Sequence, residues 1–225
     1  RRVVFREGDF VTAVSALEGE SLVAFLRQRG DLSVDAAKLE RRIPPYGRHA
    51  GAALVAHGHL RQEELWPVLR AHAEWVLGRA LQVRQGTAGL EEDLPARLQG
   101  EPGVFGGATG AEVLTEIARR VVSPEESLER LGGPATRMMP GPHHSLLVEC
   151  ALGTQEQDAV KESMQGSVGE VLARVRSGEF ATVLYVLREL AVIETVRAIE
   201  PVAAVDAGVA EAARAIDDDA IRSRI

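Results

Sequence analysis

The sequence predicts an α+β protein that is predominantly helical, with a small N-terminal antiparallel sheet. Three stretches carry this expectation. Segments 1–5 and 10–15 are short runs rich in β-branched and aromatic residues, and Glu7-Gly8-Asp9 between them is a hairpin signal. Segment 51–77 reads as helix, tight turn, helix. Segments 154–163, 167–176 and 180–193 follow, the last two with apolar residues at clear helical spacing.

Composition sets the bounds. A length of 225 residues allows one large domain or two small ones. Apolar residues make up 45%, enough for a real core, but aromatics are only 4%, so that core must be built of Leu, Val and Ala. The net charge of -7 opposes a general nucleic-acid role, which needs clustered Lys and Arg. No apolar run approaches the roughly 18 residues of a membrane span. Cys150 is the only cysteine, so the chain can form no internal disulfide, and a reducing cytoplasm is the expected setting.

Taken in order, the hairpin is followed by a helix over 20–28, whose buried face is Leu22, Val23, Phe25 and Leu26 and which Gly30 ends. A short helix over 36–42 is broken by Pro44-Pro45. The next helix holds Ala52, Ala53, Leu54 and Val55 and stops at Gly58. Its partner starts near Gln62 and carries Leu65, Leu69, Ala73, Val76 and Leu77. Pro67 fits there, because the first N–H groups of a helix lack intrahelical partners. That helix continues past Trp75 to about Val83.

Segment 87–110 reads as a connector with Pro95, Pro102 and many glycines, and a short strand is expected at 103–105. A helix follows over 111–121. Ser123-Pro124-Glu125-Glu126 opens another, with a Ser cap, Pro at the first position and acids in the first turn, and Gly132-Gly133 closes it. Segment 134–142 reads as a loop in which Met138-Met139 plugs the core, and 145–151 as an apolar run, strand or helix. Thr154 is the expected cap of the 154–163 helix, with Gln157 at capping-box spacing. The three helices from 154 to 193, joined at Gly166 and Gly178, look like a helix-turn-helix or winged-helix core. From Glu200 the chain is Ala-rich and acidic and reads as a linker, with an amphipathic helix from about Val209. The expected organisation is 1–90, a connector over 91–110, a winged-helix-like subdomain over 111–199, and a tail over 200–225.

The first 90 residues resemble the bacterial regulatory domain called PATAN. The points of resemblance are Arg2-Val3-Val4-Phe5-Arg6-x-Gly8, then Ala13-Val14-Ser15, then Leu22 and Leu26 before Gly30-x-Leu32. Gly51-x-x-Leu54-x-x-x-Gly58-x-Leu60, Glu64-Leu65, Leu69 and Gly86 complete them. Segment 156–192 looks like the helical half often found beside that domain, including Gly166-Ser167-Val168-x-Glu170. The resemblance implies a non-catalytic signalling or scaffold module without cofactor. Its partners would be other signalling proteins, other domains of its own chain, or a second copy. In some proteins of this type a DnaJ-like domain follows, and Asp217 to Arg222 looks like the approach to one. The strands the family places before Arg1 are absent and the sequence opens without Met, so a start inside a longer protein is expected.

Several chemical candidates stand beside that reading. Gly51, Leu54, Gly58, Leu65 and Leu69 also resemble the cyclic-di-GMP-binding motif of type II secretion ATPases. His49-Ala50 stands where that motif has Arg-Leu, Arg48 is adjacent, and His72 replaces the terminal Gln. A nucleotide sensor built on Arg48, Gly51 and Gly58 is therefore the alternative function, and plain helix packing explains the same spacing. DNA binding through the C-terminal helices is a second alternative, although the expected recognition helix, 180–193, carries only Arg188 as a base. No metal site is expected: zinc needs three or four converging ligands, and His57-x-His59 has no partner at helical spacing. Gly106-Gly107-Ala108-Thr109-Gly110 lacks the Lys-Ser/Thr of a phosphate-binding loop. Cys150 lies in an apolar run and reads as inert. Trp66 and Trp75 are the candidate partner-binding residues, one expected in the core and the other as a surface anchor.

Overall fold

The computed structural model describes residues 1–32, 36–164 and 166–196. The chain is α+β and predominantly helical, with two two-stranded antiparallel sheets among the described residues. Strands β1 (Arg2–Arg6) and β2 (Asp9–Val14) form the expected hairpin, with Arg2 opposite Val14 and an irregularity between Val4 and Phe5. Glu7 and Gly8 turn the chain in the left-handed region, at φ 55° and 91°.

Helix α1 (Leu22–Arg29) is capped by Ser21, whose side chain accepts from the Ala24 N–H at 3.0 Å, and Gly30 closes it at φ 81°. Helices α2 (Ala36–Glu40) and α3 (Gly47–Ala56) lead through a short 3-10 turn, Gln62–Glu64, to α4 (Leu65–Leu81). Helix α4 is the central strut. Leu65, Val68 and Leu69 pack with Leu22, Leu26 and Leu54, while Ala73, Val76 and Leu77 pack with Phe10, Phe105, Val113 and Ile117.

Segment 91–110 is built into this unit. It contains helix α5 (Ala96–Gln99), whose Leu98 is buried with Val4, Val11 and Val14. The strand expected at 103–105 is instead a turn. Gly106 and Gly107 adopt φ 65° and 84°, conformations a strand cannot use. Val104 still donates to the Val11 carbonyl at 3.2 Å, and Phe105 meets Phe10 edge to face at 4.5 Å.

The second half runs α6 (Gly110–Val121), α7 (Pro124–Leu131), β3 (Arg137–Pro140), a 3-10 turn His144–Glu149, α8 (Thr154–Ser163), α9 (Val168–Val175), α10 (Glu179–Glu189) and β4 (Ile193–Val196). Helix α7 has the expected Ser123 cap, Pro at its start and Gly132 at φ 98°. Three expectations are corrected. The loop expected at 134–142 contains β3, which pairs with β4 so that Met138 faces Thr195; Met138 is buried and Met139 exposed. The helix expected over 180–193 stops at Glu189, because Ala191 takes φ 54° and sends Ile193 into β4. Val192 and Ile193 are both fully buried, so their apolar character suits strand or helix alike. The cap of α8 is Gly153 rather than Thr154: the Glu156 carboxylate accepts the Gly153 N–H at 3.1 Å and is held by Arg119 at 2.7 and 2.9 Å.

Phe180, Val183, Leu184 and Leu187 of α10 form the centre of a second core with Leu131, Val160, Val168, Val171 and Ile193. Helix α6 joins the halves, facing the hairpin and α4 through Val113 and Ile117 and α10 through Ala118. Among the described residues no helix is long and apolar enough to cross a membrane. The tail reading over 200–225 lies outside the described residues.

Candidate functional site

The structure gives the three ligand-binding candidates local jobs. Gly51 is buried where α3 crosses α4: a Cβ there would lie 2.3 Å from Leu65 Cδ1 and 3.5 Å from Leu69 Cδ2. Gly58 is exposed at φ 73° and makes the turn after α3. Arg48 lies in the first turn of α3, exposed, with its Nη2 3.1 Å from where a Gly100 Cβ would stand.

The start of α3 already holds an anion. Glu101, only 5% exposed, accepts the Arg48 N–H at 2.9 Å, and a Cβ on Gly47 would lie 2.3 Å from its Oε1. A helix N-terminus favours negative charge, and here a resident carboxylate supplies it. The free space beside Glu101 is about 10 Å³, no more than one water occupies. A phosphate at Arg48 would have to displace that carboxylate.

His72, the other position of the nucleotide motif, is buried on α4 against the rings of Phe25 and Trp75, which also touch each other. Its Nε2–H donates to the Glu20 carbonyl at 3.0 Å. The Glu20 carboxylate, buried beside it, is held by Arg1 at 2.9 Å and by the Ser15 hydroxyl at 2.7 Å, with Arg79 at 3.5 Å. Burial opposes the Glu20 charge, but Arg1, Ser15 and Arg79 outweigh it and hold the carboxyl below its usual range. Burial likewise holds the His72 imidazole below its ordinary value, against the opposing pull of the Glu20 carbonyl and charge.

The sign of the resulting pH dependence is fixed. Unfolded His72 takes up a proton near pH 6.5, and the folded imidazole resists it. Its contribution to stability is therefore complete above about pH 6.5 and falls as the pH drops through that value. Denaturant melts at about pH 7.5 and 5.5 should show the native chain losing ~1 kcal/mol more than His72→Gln. Glu20 and Glu156, both held below the usual carboxylate range, add acid lability only below about pH 4.5. Equal losses for the two chains would refute the assignment.

The two tryptophans lie nine residues apart on α4, so about 180° separates their directions. Trp66 is 50% exposed on the first turn. Trp75 is half-buried against Phe25, with the Arg79 guanidinium 5.5 Å above its ring. Trp75 walls a groove of about 390 Å³ between α4 and α6. Ala71, Gly78, Ile117 and Val121 form its apolar surface; Glu74, Arg79, Gln82 and Arg120 supply its polar groups. Gly78 lets the helices approach this closely: a Cβ there would stand 3.1 Å from Val121 Cγ1. Sequence reasoning named Trp75 but not the groove, whose other half comes from α6, some forty residues away (Val121 accepts from Gln82 at 3.4 Å). The heptad-like run Ala71, Trp75, Gly78, Gln82 was the available signal.

The remaining candidates are committed locally. Helix α10 is an interior helix, with Phe180 to Leu184, Val186 and Leu187 all buried. Its Arg188 lies 5.4 Å from the Tyr185 ring centroid and donates to the Arg130 carbonyl. Burial, with the Glu149 charge behind it, pushes the Cys150 thiol up to about 11 despite the Thr115 hydrogen bond, so it is protonated at neutral pH. His143 and His144 bond the carbonyls of Leu190 and Val192 through Nδ1, at 3.3 and 3.1 Å. Among the described residues no group of three or more His, Cys, Asp or Glu side chains could hold a metal ion. Comparison with protein-family models, curated proteins and solved structures finds no match for this chain.

Proposed function

We propose that the chain is a non-catalytic signalling or scaffold module of the PATAN kind, working through protein–protein contact within a larger regulatory protein. The groove between α4 and α6 is the observation that carries this reading. It places a tryptophan wall and an apolar floor at the surface, with charged groups around them. Aromatic and arginine side chains around an apolar centre are the composition enriched in protein interfaces. The groove also lies on the seam of the two halves, where a bound partner would touch both α4 and α6.

Affinity capture with the purified chain and with Gln82→Trp tests the reading. Gln82 is exposed at the groove, so an indole there obstructs the groove without entering the core. The native chain should retain a specific protein partner or a second copy, and Gln82→Trp should weaken that retention about tenfold or more. A chain that captures nothing, does not self-associate and turns over a substrate would contradict the proposal.

A further inference from the structure

The charges around the groove point to the kind of partner. Two residues past Gln82, Arg84 bonds Glu126 at 2.9 Å; Glu126 also holds Arg130, whose Nη1 donates to Tyr185 Oη at 2.6 Å. Arg188 adds to this cluster by donating to the Arg130 carbonyl, and it is paired with Glu189. On the groove itself Glu74 is shared between Arg70 at 3.0 Å and Arg120 at 2.9 Å. Glu74 and Glu126 thus each serve two arginines, Arg120 also meets Glu116 at 3.7 Å, and five N–H groups on each guanidinium still leave donors free. Arg84 and Arg120 keep 72% and 58% of their side-chain surface in solvent. This arginine-rich strip runs over a chain whose net charge is -7.

We propose that the α4–α6 seam docks an acidic segment of a protein partner that carries at least one large apolar side chain. The apolar side chain enters between Trp75, Ile117 and Val121 above Gly78. Carboxylates on either side take the free donors of Arg79, Arg120 and Arg84. Discrete carboxylates can step between Glu74 and Glu126, whereas the continuous charge of a nucleic-acid backbone would meet both. The inference rests on the protein-contact reading above and adds the chemistry of the partner.

Selection of random phage-displayed peptides on the immobilised chain tests it. The peptides recovered should be rich in Asp and Glu around a Leu, Phe or Trp. Their binding should fall about tenfold or more on Arg120→Glu or Arg84→Glu, and should weaken steadily with added salt. Both substitutions are at exposed positions, and the salt titration on the native chain gives a reading that needs no variant. Neutral or basic peptides, or acidic peptides that bind the reversed chains equally well, would overturn the proposal. Acidic peptides lost only on Trp66→Ala would also overturn it, while leaving a protein-binding module. Self-association abolished by Arg120→Glu would make the occupant a second copy and overturn the acidic partner. Recovery of no peptide, from a chain that neither captures a protein nor self-associates, would remove both readings.

Discussion

Phe10→Ala is expected to lower the unfolding free energy by about 3–5 kcal/mol. Phe10 is 2% exposed and its ring meets Phe5 and Phe105 edge to face, with centroids at 5.4 and 4.5 Å. The same side chain belongs to the cluster of Ala73, Val76 and Leu77 from α4 and Val113 and Ile117 from α6. It therefore ties four parts of the chain together: the hairpin, the 104–107 turn, α4 and α6. Truncation removes the transfer free energy of a phenyl group and leaves a cavity bounded by three rigid elements, which cannot all close on it. Denaturant melts of Phe10→Ala and Phe5→Ala measure this directly. Phe5, 46% exposed, should cost about 1 kcal/mol, and similar losses at the two positions would contradict the packing described.

Gly141→Ala is expected to cost about 3 kcal/mol, a large effect for adding one methyl group. A Cβ at Gly141 would stand 2.3 Å from the Ala191 carbonyl oxygen, 2.9 Å from its carbon and 3.1 Å from the Val192 carbonyl carbon. These are backbone atoms, so no rotamer change relieves the contact. The two chain segments are also stitched together: Gly141 N–H donates to Val192 O and His143 N–H to Ala191 O, each at 2.9 Å. The methyl group must force them apart, and with them the β3–β4 pairing of Pro140 with Ile193. Thermal melts should show the loss, and hydrogen exchange should locate it in β4. Gly103→Ala is the control. Gly103 has open space around it and no left-handed φ, so alanine there should be neutral or slightly stabilising. A Gly141→Ala melt that matches the control would refute the close approach.

What the sequence revealed, and what it hid, divides by the range of the interactions involved. The hairpin was legible because Gly8 and the β-branched runs act within a few residues. Helix α7 was legible because Ser123, Pro124 and Gly132 each state a helix end locally. Strands β3 and β4 were not: RMMP and IETV are four residues each, and what makes them strands is their pairing across more than fifty residues. The carboxylate on α3 was hidden for the same reason, since Glu101 reaches Arg48 from 53 residues away. That contact bears on function, because it occupies the place where the motif at Arg48, Gly51 and Gly58 would look for a phosphate. Trp66 and Trp75 were partly legible. Their spacing sets them on opposite sides of α4, but only the packing of α6 decides that Trp75 lines a groove.

The central claim is that the α4–α6 seam is where this chain meets its partner. Its most direct measurement is photo-crosslinking in living cells, with a small alkyl diazirine side chain, no larger than the native glutamine's reach and unable to fill the groove as an indole does, at position 82 in one chain and at position 66 in another. The account predicts a covalent adduct between position 82 and an acid-rich protein segment, one that disappears when Arg120→Glu is added. No adduct at position 82, or an adduct that Arg120→Glu leaves unchanged, would contradict it.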